Sequence, residues 1–74
     1  MRVRWDKSID AAYVYLVDEI APGGVKFTCI CDAEDVPSMI NLDFDYDSRL
    51  LGIEVMRASE VLPKELLDQA EIIG

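Results

Sequence analysis

Residues 40–56 constrain the fold of this chain more than any other stretch. Apolar and polar side chains alternate along residues 40–46 and again along residues 51–56, which is the period of half-buried β-strands. Between them, Asp47, Ser48 and Arg49 form a polar turn. The segment is therefore predicted to be a β-hairpin. Its first strand should carry three polar side chains on one face, namely Asn41, Asp43 and Asp45.

Strand-like and turn-like segments also alternate in the first part of the chain. Their aromatic and β-branched content predicts strands over residues 2–5, 11–17 and 25–31. Asp and Ser side chains in residues 6–10 indicate a hairpin loop, and Pro22-Gly23-Gly24 ends a second loop. The segment 11–17 has little polarity, so we expect it to be a central strand.

The hydrophobic spacing becomes helical near the end of the chain. Ser59 is a good N-cap and Pro63 suits a first helical position, which predicts a turn at residues 59–62 and a helix over about 63–71. An apolar stripe is expected there to pack on the sheet or on a second copy: Leu66, Leu67, Ile72 and Ile73.

The predicted fold class is α+β, as one small domain over residues 1–74. We expect an antiparallel sheet of about five strands in meander or hairpin order, with a short C-terminal helix. A chain of 74 residues buries only about 60% of its extended surface, so its stability margin is thin and pairing with a second copy is favoured.

Charge excludes several classes of partner. With 15 acidic against 7 basic residues and a net charge of −8, the chain lacks the basic surface that binds nucleic acid or anionic membranes. Its apolar runs fall short of the roughly 20 residues of a membrane-spanning helix, and its N-terminus resembles a strand rather than a signal peptide. We therefore expect a soluble, cytoplasmic protein.

Cys29 and Cys31 lie two residues apart in a predicted strand. Side chains at this spacing share a face, but an extended backbone does not readily close a disulfide between them. A zinc site ordinarily needs four Cys or His ligands, and the chain contains no His. Both residues are predicted to be buried, reduced thiols.

The order of motifs resembles the small proteins grouped as domain of unknown function 2283. The resemblance spans most of residues 2–62 and rests on these segments: Trp5-Asp6, Asp10-Ala11-Ala12-Tyr13-Val14, Leu16, Leu42-Asp43-Phe44-Asp45, Leu51-Gly52-Ile53-Glu54-Val55 and Ala58-Ser59. The family's turn often carries Gly where Ser48 or Arg49 stands, and the segment between Cys31 and Ile40 is longer here. Since the family has no established activity, the resemblance implies architecture and supplies no functional residue.

The carboxylates of the hairpin resemble a calcium loop in their spacing. Counted from Asp43, acidic or polar residues occupy positions 1, 3, 5, 7 and 12 of an EF-hand loop. However, Ser48 stands at position 6, where the loop needs Gly, and the flanking segments read as strands rather than helices. The spacing is therefore not interpreted as an EF-hand.

A looser divalent-cation site is a second interpretation of Asp43, Asp45 and Glu54. Neighbouring carboxylates repel unless a cation or a basic side chain intervenes, and Lys26, Arg49 or Arg57 could supply that charge. The simpler interpretation is a solvated polar sheet face, without catalytic residues or a cofactor. An acid–base pair would need an enclosed cleft, and no His is present to activate a serine.

Two functional hypotheses follow. The first is a non-enzymatic interaction module that self-associates as a homodimer, through a sheet edge or the helix stripe, and whose acidic face accepts a protein partner with a basic surface. The alternative is a small cation-binding or hydrolytic domain that uses Asp43, Asp45 and Glu54.

Overall fold

A computed structural model describes residues 1–32 and 34–74 of the chain. Its elements in chain order are β1 Arg2–Asp6, β2 Ala11–Tyr15, β3 Phe27–Cys31, β4 Ile40–Phe44, β5 Leu50–Met56, α1 Ala58–Val61, α2 Lys64–Asp68 and β6 Glu71–Ile73. The predicted α+β class is confirmed, and so are the first hairpin and the hairpin of residues 40–56.

The strands within the described ranges form one six-stranded sheet in the order β3-β4-β5-β2-β1-β6. Neighbouring strands are antiparallel except for β1 and β6, which are parallel. The predicted meander order is wrong, because β2 pairs with β5 rather than with β3. Residues 16–26, which include the Pro22-Gly23-Gly24 break, are long enough to carry the chain past two strands to the far edge.

The C-terminal prediction is wrong in its details. The helix expected over residues 63–71 ends at Asp68, and Glu71–Ile73 continues as a sixth strand beside β1. The backbone of β1 needs partners on its free side, and Ile72 and Ile73 are β-branched residues that favour a strand. The Lys7 N–H accordingly donates to the Ile73 carbonyl at 3.2 Å.

Both predicted helix-start residues have other positions. Pro63 precedes α2 as its N-cap residue, with an extended ψ of 141°. Ser59 lies inside α1, whose N-cap is Arg57.

The hydrophobic core lies on one face of the sheet, which we call the helix face. Val3, Ala12 and Val14 of the sheet pack there with Ala58 and Leu67 of the helices. Leu66 also packs against this cluster. Leu66 and Leu67 of the predicted apolar stripe therefore pack within the chain, whereas Ile72 is 50% exposed.

The helices cover only part of the sheet. α1 packs on β5 and α2 on β1, whereas β3 is exposed along most of its length. Phe27 is 44% exposed and Ile30 is 61% exposed. Both cysteines are free thiols, as expected, but Cys29 is exposed and Cys31 is half-buried, so the prediction that they are buried is wrong. β3 is an uncovered edge strand, and this explains the difference.

No helix in the described part of the chain has the length and apolar character needed to cross a lipid bilayer.

Candidate functional site

The face of the sheet opposite the helices, here called the polar face, is organised around Gly52. Gly52 pairs with Tyr15 on β2 and with Asp43 on β4. The Tyr13 ring occupies the space that a side chain at position 52 would fill, since a Cβ atom there would lie 2.5 Å from the ring and hydroxyl. The missing side chain therefore lets Tyr13 cross β5 and reach β4.

Asp43 accepts two short hydrogen bonds on this face. The Tyr13 hydroxyl donates to its Oδ2 at 2.6 Å, and the Thr28 hydroxyl donates to its Oδ1 at 2.6 Å. One carboxylate thus joins β2 and β3 through β4. Burial raises the pKa of Tyr13 above its ordinary value of 10.0, and the hydrogen bond to Asp43 and the charge of Asp43 raise it further.

Glu54 lies on the same face and is also engaged. It pairs with Asn41 across β4 and β5, and the Asn41 Nδ2 donates to its Oε1 at 2.9 Å. Asn41 Oδ1 is buried and lacks a hydrogen-bond partner among the described residues. Asp43 and Glu54 therefore share a face, as the hairpin pattern predicts.

Asp45 does not belong to this face. β4 ends at Phe44, and the Asp45 Oδ1 accepts hydrogen bonds from the amides of Asp47 and Arg49, each at 2.9 Å. The turn that it closes places Ser48 at a positive φ of 61°. The side chain expected on the sheet instead stabilises the turn.

The three candidate ligands are therefore not brought together. Within residues 1–32 and 34–74, no group of three or more His, Cys, Asp or Glu side chains has a geometry that could hold a metal ion. Arg57, one of the expected neutralising cations, pairs with Glu60 at 2.7 Å instead. Hydroxyl and amide donors satisfy Asp43 and Glu54 in place of a cation.

Two arginines on β1 complete the polar face, and the sequence analysis did not select them. Arg2 lies 4.0 Å from the centre of the Tyr15 ring, and Arg4 Nε lies 3.8 Å from a Glu71 carboxylate oxygen. Together with Tyr13 they line an open groove of about 420 Å³ below the loop that follows β2. Their alternation with Val3 and Trp5 was the signal that could have identified them.

Asp10 connects the first hairpin to α1. It accepts hydrogen bonds from the Trp5 indole at 2.9 Å and from the Ser59 hydroxyl at 2.6 Å. The Ser59 hydroxyl, then the Trp5 indole, lower the pKa of Asp10 below its ordinary value of 3.8. Asp10 therefore does more than stabilise its own turn, which was its predicted role; by contrast, Asp6 accepts hydrogen bonds within the turn from Ser8.

The free edge of β3 is the second notable surface. β4 is the neighbour of β3 in the described sheet, and β3 ends the strand order. The Lys26 N–H donates to the Phe44 carbonyl at 2.8 Å, so the Lys26 amide points toward β4. On β4, the Phe44 carbonyl thus faces β3, whereas the Met39 carbonyl faces β5, because it accepts a hydrogen bond from the Met56 N–H at 3.1 Å. Backbone direction alternates along a strand, so Phe27, Cys29 and Cys31 form the hydrogen-bonded pairs with β4. The backbone groups of Thr28 and Ile30 therefore point away from the sheet. The edge offers backbone donors and acceptors flanked by apolar side chains.

Comparisons with known proteins place the chain in a family. Residues 2–59, which hold the Trp5–Asp10–Ser59 connection and the Gly52–Tyr13–Asp43 contact, match a family described as protein of unknown function (DUF2283). Neither the search of curated proteins nor the search of solved structures found a match. Since the match covers most of its length, the chain belongs to the DUF2283 family.

Proposed function

We propose that the protein is a non-enzymatic interaction module that self-associates through the free edge of β3. The observation that carries the proposal is an edge strand with outward backbone groups and large apolar side chains in solvent. Phe27 is 44% exposed on the helix face and Ile30 is 61% exposed on the polar face. Such an edge is a template for pairing with a strand of another chain.

The devices that normally prevent edge pairing are missing from β3. Natural edges are blunted by Lys, Pro or inward charges, by bulges, or by a covering loop or helix. The sequence Phe-Thr-Cys-Ile-Cys contains neither a charge nor a proline. Its register with β4 is continuous over all five residues, so no bulge interrupts the strand.

Charge favours this contact over other parts of the surface. Copies that each carry a net charge of −8 repel over most of their surfaces, but the five residues of β3 are uncharged. Approach through β3 therefore keeps most acidic groups apart. The remaining acidic surface would attract a partner protein with a basic surface, and that contact is separate from self-association.

Asp43 and Glu54 have a structural role in this proposal rather than a cation-binding or hydrolytic one. Each already accepts hydrogen bonds from side chains of neighbouring strands. The melting temperature should therefore not change with millimolar calcium, magnesium or manganese. A rise with one of these ions would favour the cation-binding alternative, since a ligand of the folded state stabilises it.

The test of self-association is a concentration series by sedimentation velocity and light scattering. Wild-type protein should shift from one copy to two as concentration rises. Ile30→Lys should remain monomeric at the same concentrations, because the added charge must lose water when the edges pair. Ile9→Lys is the matched control, since Ile9 is 63% exposed and lies outside the sheet.

The control variant should associate like the wild type, and both variants should keep the wild-type circular dichroism spectrum. A wild type that stays monomeric throughout the series would overturn the proposal. So would an Ile30→Lys variant that associates as strongly as Ile9→Lys.

A further inference from the structure

The geometry of β3 points to a particular register: we infer that two copies pair antiparallel about a two-fold axis through Cys29. This inference rests on the proposed self-association and specifies its partner, which is a second β3 strand. Each residue of the strand then finds a partner within the other strand. Cys29 faces Cys29 of the second copy, Thr28 faces Ile30, and Phe27 faces Cys31.

The backbone supports an axis at Cys29. Thr28 and Ile30, on either side of it, are the β3 residues whose backbone groups point away from β4. With the axis at Cys29, Thr28 of each copy lies opposite Ile30 of the other, and each such pair can exchange both of its backbone hydrogen bonds. Centring the axis on Thr28 or Ile30 would leave one end of the five-residue strand without a strand partner.

Charges at the two ends of β3 favour the same register. Lys26 precedes the strand and Asp32 follows it, and both side chains are exposed. With the axis at Cys29, Lys26 of each copy lies opposite Asp32 of the other. The symmetry forms this pair twice, and opposite charges facing each other across strands stabilise a sheet.

Side-chain size is also compatible with this register. On the helix face, Phe27 would meet Cys31, so a large ring faces a small, half-buried thiol rather than a second ring. On the polar face, Thr28 would meet Ile30, both of which are exposed. The pairing would cover the two most apolar side chains that β3 leaves in solvent, Phe27 and Ile30.

Disulfide trapping tests the register. Cys29 would face its copy in a non-hydrogen-bonded antiparallel pair, in which the two Cα atoms lie about 4.5 Å apart, within the range of about 4.4 to 6.8 Å that a disulfide bridges. The two Cys31 Cα atoms would lie about 13 Å apart, which is too far. Copper phenanthroline would transfer two electrons from each thiol pair to dioxygen, with loss of two protons.

Cys31→Ser, which keeps Cys29, should form covalent dimers rapidly. Cys29→Ser, which keeps Cys31, should form few. Adding Ile30→Lys to the Cys31→Ser variant should suppress the covalent dimer, because the added charge prevents the edges from pairing. Cross-linking by random collision would not depend on residue 30. Efficient cross-linking through Cys31, or cross-linking through Cys29 that survives Ile30→Lys, would overturn the register.

A charge exchange provides a second test that needs no oxidant. Lys26→Asp and Asp32→Lys should each weaken association by about fivefold or more, because each substitution turns two attractive pairs into repulsive ones. The double variant should recover most of the wild-type association constant. Additive losses in the double variant would contradict the register.

The experiments distinguish a failure of self-association from a failure of the register. A monomeric wild type removes both self-association and the register. A wild-type dimer that cross-links through Cys31, or whose charge variants do not compensate, removes the register and leaves self-association in place.

Discussion

The two halves of the sheet differ in how they are stabilised. The inner half consists of β1, β2, β5 and the helices, and it holds the buried apolar side chains of the described chain: Val3, Ala12, Val14, Val55, Ala58 and Leu67. The outer half, β3 and β4, has no residue in this class among those described. The outer half joins the inner half through the pairing of β4 with β5.

The difference indicates that folding stability resides mainly in the inner half. Burial of apolar surface is the main source of folding free energy, and the outer half contributes much less of it. An exposed strand attached to a stable core can bind a partner without any need to unfold first. Substitutions in the two halves should therefore separate stability from association.

The largest contrast is expected between Leu67→Ala and Phe27→Ala. Leu67 is 6% exposed in the core cluster, and its truncation should lower the free energy of unfolding by about 2 to 4 kcal/mol. Phe27 stacks on Phe44 but is 44% exposed, so its truncation should cost about 1 kcal/mol. Urea denaturation of both variants measures the difference. Equal losses in the free energy of unfolding would contradict the division of stability between the two halves.

A somewhat smaller effect is expected at the junction between the halves. In Gly52→Ala the new Cβ would lie 2.5 Å from the Tyr13 ring, so the ring must move and the free energy of unfolding should fall by about 1 to 3 kcal/mol. The backbone at position 52 does not have a positive φ, so the cost is one of space.

A double-mutant cycle provides the control for this junction. In a Tyr13→Ala background the ring is absent, and Gly52→Ala should cost much less. If Gly52→Ala is equally destabilising in both backgrounds, the close approach of Tyr13 is not the reason for glycine at this position.

Tyr13→Phe tests the hydrogen bond that joins the halves and should cost about 1 kcal/mol. The raised pKa of Tyr13 means that its contribution is complete below its ordinary value of 10.0 and is lost as pH rises through the higher folded value. The wild type should therefore lose stability in alkali more steeply than Tyr13→Phe. Parallel pH profiles for the two proteins above pH 10 would contradict this.

The smallest expected effect is a gain at the turn of the outer half. Ser48 has a φ of 61°, a conformation that glycine adopts without strain. Ser48→Gly should therefore raise the free energy of unfolding by about 0.5 kcal/mol. Asp47→Gly is the matched control because Asp47 has no positive φ, and it should lower stability. A loss of stability in Ser48→Gly would mean that the Ser48 side chain matters more than its backbone conformation.

Hairpins were the part of the fold most accessible from the sequence. Alternation along residues 40–56 identified β4, β5 and the face shared by Asp43 and Glu54, because strand period and turn chemistry are local properties. The order of strands was not accessible in this way. Placing β2 beside β5 depends on contacts between distant residues, such as Val14 with Ile53.

On the polar face, too, local features could be predicted from the sequence and contacts between distant residues could not. The sequence identified Asp43 as a polar residue on the sheet, but its partner Tyr13 lies 30 residues away in the chain and reaches it only because position 52 lacks a side chain. Similarly, Asp10 was identified as a turn residue, whereas its bond to Ser59 spans 49 residues. The spacing of Ile72 and Ile73 fits a helical stripe, but these residues form a strand that pairs with the free side of β1.

The three-residue strand β6 sets the stoichiometry of any assembly formed through β3. A sheet with two long open edges can add copies indefinitely and grow into a fibre, whereas β6 leaves only a short ladder on the far side, and Glu71 there carries a charge. A contact of β3 with β3 uses the same surface on both copies and leaves β6 and the unpaired start of β1 at the two outer ends. Growth should therefore stop at two chains.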